Sequence, residues 1–322
     1  VRDAIEYWAV VAVRVVARRL PEPVVNAWGA AIGLTFYLVD WQHRRVAVAN
    51  LQQCFPNKSA SERRAIARGT FKHFGRMLLK LLTFSALTPE QMMACSEYEG
   101  DERVRLAYAN GKGILFFTGH FGFWELHAVA HAVKLRPIGV LARALDNPRL
   151  NDLLERVRTR TGNTVIYRQG AVRRVMKTLA AGEGVALLID QHMHSPDAIW
   201  VSFFRRPAAT TSTLAALALR TGAAVIPVFA HPLPGGRYKF VYESPVEPPE
   251  EDGPEAIRDF TQRCTDVLEM HVRKHPELWL WMHRRWRDAP IPDAGGMFPK
   301  AKDEGITKNE ERRTKNELTN GA

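Results

Sequence analysis

The feature that most limits what this chain can fold into is an alternation, starting at Gly113, of short apolar runs with longer amphipathic stretches. Ile114-Leu115-Phe116-Phe117-Thr118 is bounded by glycines and apolar almost throughout, the pattern of a strand covered on both faces. Residues 122–133 then predict a helix, 137–142 a strand, 148–161 a helix, 164–167 a strand, 171–181 a helix and 185–189 another buried strand. Beyond these, 214–221 read as helix, 224–230 as strand, 238–242 as a half-buried alternating strand and 254–275 as a long amphipathic helix. The fold class is therefore α/β, a mixed and largely buried β-sheet covered by helices. Residues 44–82 are spaced as a helical lead-in, with Ser59 and Glu62 placed for a capping box.

The N-terminal residues have a different character. Residues 4–20 are apolar but carry Glu6, Arg14, Arg18 and Arg19, and no small-residue cleavage site follows. Residues 24–39 hold no charge but fall short of the roughly 20 residues of a spanning helix. Pro21-Glu22-Pro23 separates the two stretches and should break any single helix. Residues 1–42 are expected to form a helical membrane-associating segment lying in or dipping into a bilayer, with Trp8, Trp28, Tyr37 and Trp41 suited to its interface. The plain alternative is a helical pair packed on the main body. Residues 43–289 would then be the catalytic domain. Residues 290–322, rich in Lys, Glu, Asn, Thr and Gly, read as a disordered tail.

Charge narrows the partners. The 45 basic residues exceed the 34 acidic ones by 11, which favours an anionic partner: a phospholipid surface, a phosphorylated substrate or nucleic acid. Cys54, Cys95 and Cys264 lie far apart with no CxxC pair, so neither a disulfide framework nor a cysteine-based zinc site is indicated. GxSxG, GxxxxGK[ST] and GxGxxG are all absent from the sequence, which disfavours a covalent serine enzyme, a phosphate-loop enzyme and a dinucleotide enzyme.

The sharpest local motif is Gly119-His120-Phe121-Gly122-Phe123-Trp124-Glu125, placed where a buried strand gives way to a helix. Loops at strand ends are where α/β proteins hold reactive groups. A histidine of near-neutral pKa can take a proton from a hydroxyl when its tautomer is held, and Glu125, one helical turn on, is a candidate for that restraint. A second signal is basic. Arg143, Arg158 and Arg168 flank the helix that follows the turn Asp146-Asn147-Pro148, and such groups bind phosphate or stabilise an oxyanion. Arg156, Arg158 and Arg160 also fit a solvated helix face. Asp190-Gln191-His192-Met193-His194 ends another apolar strand and can converge on the sheet edge that carries His120. Neither this cluster nor His127 with His131 makes a complete metal-ligand pattern, so no metal and no cofactor is expected.

These blocks together resemble the late lipid A acyltransferases of Gram-negative inner membranes, and more distantly the phosphatidylinositol mannoside acyltransferases. The resemblance is carried by Asn50-Leu51, Phe55-Pro56, the 119–125 motif, Arg143 with Asn147-Pro148, Asp190-Gln191, Phe203-Phe204 with Thr210-Thr211, and the run from Pro276 to Trp286. It implies a membrane-associated enzyme on the cytoplasmic face of the inner membrane, peripheral or held by a single anchor. The reaction implied is transfer of a fatty acyl chain from an acyl carrier protein or coenzyme A thioester to a hydroxyl of a glycolipid, a lipid A precursor above all. His120 is the implied general base and Glu125 its partner. Arg143, Asn147, Arg158, Arg168 and Asp190 are the implied substrate-side residues, Asp190 supporting either His120 or the arginines.

Three positions depart from the family pattern. Phe123 stands where Asn is common, His192 where an acid is common, and Arg205 where glycine is usual. They leave the acceptor open, so a phosphatidylinositol mannoside or another envelope lipid is an alternative acceptor. The non-enzymatic alternatives are an inactive lipid-binding form and a basic nucleic-acid-binding protein using Trp279, Trp281 and Trp286. Core packing of that dense aromatic run speaks against nucleic acid as a partner.

Overall fold

Five helices precede the sheet in the computed structural model, which describes residues 1–195 and 198–287. They are α1 (Arg2–Ala17), α2 (Glu22–Val39), α3 (Trp41–Cys54), α4 (Ala60–Phe84) and α5 (Pro89–Ala94). Pro21 separates α1 from α2, and Pro23 sits in the first turn of α2, where a missing N–H breaks no helical bond. Ser59 and Glu62 form the expected capping box at the start of α4: the Ser59 hydroxyl accepts from the Glu62 N–H, and the Glu62 carboxylate accepts from the Ser59 N–H. The expected disordered tail lies outside the described residues.

The chain then runs through β1 (Ser96–Glu99), α6 (Asp101–Ala109), β2 (Ile114–Thr118), α7 (Trp124–Lys134), β3 (Ile138–Ala142), α8 (Pro148–Thr159) and β4 (Thr164–Tyr167). It continues with α9 (Ala171–Ala180), β5 (Gly184–Leu188), β6 (Ile199–Phe203), β7 (Arg206–Thr210), α10 (Thr213–Thr221), β8 (Ala224–Pro232), β9 (Tyr238–Tyr242) and α11 (Pro254–Lys274). Seven strands form one sheet in the order β1-β9-β8-β2-β5-β3-β4. Every neighbouring pair is parallel except β8 with β9, so the sheet is mixed. β2 is central and buried at all five positions, which is why its sequence is apolar on both faces. The α/β class and the sheet strands read from the sequence all appear, except that β1 was not anticipated.

A separate hairpin pairs β6 with β7. Its two-residue loop is Phe204-Arg205, with φ of 56° and 57°. Two positive φ values make this a type I′ turn, which suits glycine and strains other residues. That geometry accounts for Arg205 as a departure from a glycine position.

α2 lies against α4 through small residues. A Cβ on Gly33 would stand 2.0 Å from the Phe71 carbonyl oxygen, a backbone atom that cannot swing aside. Gly33→Ala should therefore separate the helices and destabilise the protein by about 1–3 kcal/mol, read as a lowered midpoint of urea unfolding. An unchanged midpoint would contradict this packing. The other sides of α1 and α2 leave Ile5, Trp8, Val15, Val16, Phe36, Leu38 and Val39 exposed. Among the described residues no helix is long and apolar enough to cross a membrane.

Trp279, Trp281 and Trp286 are buried with Phe203 and Phe204. This is the core packing that the aromatic density suggested, and it leaves those rings no face for stacking on bases.

Candidate active site

Parallel pairing puts Thr118 of β2 opposite Leu188 of β5, so the residues leaving the two strands stand side by side. His120 comes from the first strand and Asp190 from the second. The Asp190 carboxylate accepts three hydrogen bonds: from the His120 backbone N–H at 2.7 Å, from His120 Nδ1 at 2.8 Å and from the Trp279 indole N–H at 2.8 Å. Gly119 makes this approach possible, because a Cβ there would lie 2.8 Å from the Asp190 carboxylate oxygen. On the far side, the Leu280 N–H donates to the His120 carbonyl at 3.1 Å. The histidine is thus fixed through its backbone and its ring.

Electrostatics sets the tautomer. Burial would raise the Asp190 pKa, but the charge and hydrogen bonds of His120, with the Trp279 bond, hold it down at about 2. Asp190 is therefore a pure acceptor at neutral pH, and His120 Nδ1 must carry the proton. Burial pulls the His120 pKa down, yet Asp190 and, less strongly, Glu125 leave it raised above the ordinary value. Nε2 is left with its lone pair, and the Gln191 side-chain amide nitrogen stands 3.3 Å from it.

His120 lies on the wall of a cavity of about 570 Å³. Exposed Arg143 and Arg168 stand at its rim. Trp124, Glu125 and Arg158 line it beside His120, and Phe116, Ile138, Val140, Ala186 and Val228 line its apolar interior. The Trp124 ring stands edge-on to the imidazole, with centroids 5.1 Å apart.

Glu125, on the first turn of α7, is gripped by Arg158 of α8, which donates from Nε at 2.9 Å and from Nη2 at 2.5 Å. Burial lowers the Arg158 pKa, but this carboxylate outweighs it and keeps the guanidinium charged. The ring restraint sought in Glu125 is thus made by Asp190, while Glu125 and Arg158 form a second fixed pair on the same wall. Arg143 pairs with Asp146 at 2.9 Å in solvent. Asn147 does not line the cavity: its side-chain oxygen caps α8 by accepting from the N–H groups of Arg149 and Leu150, and its amide donates to the Asp3 carbonyl and Glu6 of α1. Sequence reading missed Gln191 and Trp279 as contacts of the histidine and its carboxylate. The first adjoins Asp190, and the second sits in a run read only as aromatic packing.

This arrangement holds one imidazole nitrogen protonated and turns the other, as a base, toward a cavity with a basic rim and an apolar interior. It suits removal of a proton from a hydroxyl beside an apolar chain. The family model for bacterial lipid A biosynthesis acyltransferases matches residues 1–288. The chain is 28% identical to the lipid A biosynthesis lauroyltransferase of Escherichia coli (strain K12) over 88% of this chain and 92% of that protein. It is 25% identical to the lipid A biosynthesis myristoyltransferase of the same organism over 74% of this chain and 73% of that one. A solved structure, the 1-acyl-sn-glycerophosphate acyltransferase of Thermotoga maritima, aligns with 78% of this chain and 95% of its own at 14% identity and a TM-score of 0.37, a likeness too slight to bear on the site. The chain belongs to the bacterial lipid A biosynthesis acyltransferase family and is an acyltransferase.

Proposed function

We propose that this enzyme transfers a fatty acyl chain from a thioester of acyl carrier protein or coenzyme A to a hydroxyl of a lipid A precursor. The observation that carries the reading is the His120–Asp190 pair, whose ring presents Nε2 on the cavity wall. The acceptor hydroxyl displaces the Gln191 amide and gives its proton to Nε2 as its oxygen attacks the thioester carbonyl carbon. The tetrahedral intermediate collapses, the C–S bond breaks, and His120 returns the proton to the departing thiolate. No protein nucleophile is needed.

Asp190 is the positioning residue in this scheme. Glu125 and Arg158 hold the wall along which the reacting groups lie, Glu125 also adding to the field that favours imidazolium. Arg143 and Arg168 at the rim suit phosphate groups of either substrate. The apolar interior suits the acyl chain. Exposed Trp8, Phe36 and Trp41 support attachment of the N-terminal helices to the surface of the inner membrane from its cytoplasmic face.

The test supplies purified protein with radiolabelled acyl carrier protein and coenzyme A thioesters, and with lipid A precursors or mannosylated lipids as acceptors. Label should pass to the lipid A precursor. Transfer only to a mannosylated lipid would replace the acceptor, and no transfer from either thioester would refute the reading.

A further inference from the structure

A second cavity, of about 430 Å³, lies between α2, α4 and the segment after α11. Ile32 and Phe36 of α2 and Asp40 just past its end line it at intervals of four residues, so it follows the helix to its end for about 12 Å. Phe71, Phe74, Leu78, Leu280 and Met282 make most of its remaining wall apolar, with His43 and His283 as the polar exceptions.

Two links tie this groove to the catalytic histidine. Leu280 is bonded through its N–H to the His120 carbonyl. Phe74 packs on Trp124 with centroids 5.9 Å apart, and Trp124 packs in turn on the imidazole. His120 and Trp124 line the first cavity while Leu280 and Phe74 line the groove, so these two contacts join the walls of the two cavities. The groove also reaches the open surface: Phe36 is 58% exposed and Leu78 46% exposed.

We propose that this groove seats a hydrocarbon chain already carried by the acceptor lipid, lying between Phe74, Leu280 and Phe36 while the acceptor hydroxyl meets His120. The inference rests on the function proposed above, in which two substrates each bring an apolar chain to one base. The first cavity, with its basic rim and deep apolar interior, takes the donor chain. The acceptor chain then needs a separate apolar seat near the same imidazole, and the groove, which adjoins His120 through Leu280 and Trp124 through Phe74, supplies it. Its opening beside exposed Phe36, Leu38 and Val39 allows a chain to enter from a lipid layer.

Two variants test this. Ile32→Trp fills the groove, and Leu78→Asp puts a charge at its exposed wall with little burden on the fold. Each should raise the KM for an acylated lipid A precursor at least about tenfold, as loss of a few buried methylenes implies. Neither should change the KM for the thioester donor, nor the rate of transfer to the de-acylated sugar. An unchanged KM for the acylated acceptor, or a raised donor KM, would overturn the proposal. A precursor with a diazirine in its acyl chain supplies a readout without turnover: photolabelling should map to residues 32–36 and 74–78. Labelling there without transfer would refute the proposed reaction and leave the groove standing. Labelling confined to the first cavity would refute the groove.

Discussion

His120→Ala should lower acyl transfer by about 100- to 10,000-fold, the contribution of a positioned general base, while circular dichroism and the unfolding midpoint stay near those of the parent. His120 Nδ1 is committed to Asp190, and Nε2 is the basic atom turned to the cavity. The Trp279 bond to Asp190 and the Leu280 bond to the residue 120 carbonyl do not need the imidazole, so the loop keeps its course in the variant. Undiminished transfer would show that the acceptor is activated elsewhere.

Asp190→Asn should cost about a thousandfold or more, on the pattern of a carboxylate that fixes a catalytic imidazole. An asparagine amide has one acceptor oxygen where the carboxylate has two, and Asp190 uses one oxygen for the His120 ring and the other for the His120 and Trp279 N–H groups. If the amide nitrogen faces the ring, it stabilises the tautomer with Nε2 protonated, which cannot accept a proton. Glu125→Ala acts differently. It leaves Arg158 without its carboxylate, loosens the junction of α7 and α8 and lowers the rate through placement of the substrates. Its pH profile should keep nearly the parent midpoint, because Glu125 ranks below Asp190 in the field at His120. A midpoint that moves more in Glu125→Ala than in Asp190→Asn would reverse these roles.

Much of the sheet was legible because its strands are buried on both faces: Ile114–Thr118 can be little else when five consecutive residues need cover. β1 escaped notice because Ser96-Glu97-Tyr98-Glu99 is an edge strand with alternate residues half open, and its polar sequence resembles a loop. The β6–β7 hairpin was hidden by Phe204-Arg205, a pair that gives no turn signal although the backbone there is left-handed. The site was legible as a position rather than as a set of bonds. A histidine at the end of a buried strand and an acid at the end of another mark one sheet edge. Which acid meets the ring depends on the Thr118–Leu188 register, which spacing along the chain does not encode. Glu125 was near in sequence, but its place on α7 gave it to Arg158 of the adjoining helix.

The pH dependence of kcat/KM tests most directly whether Asp190 holds His120 as the base. The active form has neutral His120, and Asp190 raises the pKa of that group, so activity should climb with pH through a midpoint above the ordinary histidine value of 6.5 and then level off. In Asp190→Asn the effect of burial is no longer outweighed, so the midpoint of the residual activity should fall. A parent profile flat from pH 5 to 9 (about two orders of proton concentration to either side of an ordinary histidine midpoint), or a midpoint unmoved by the Asp190 substitution, would contradict the account.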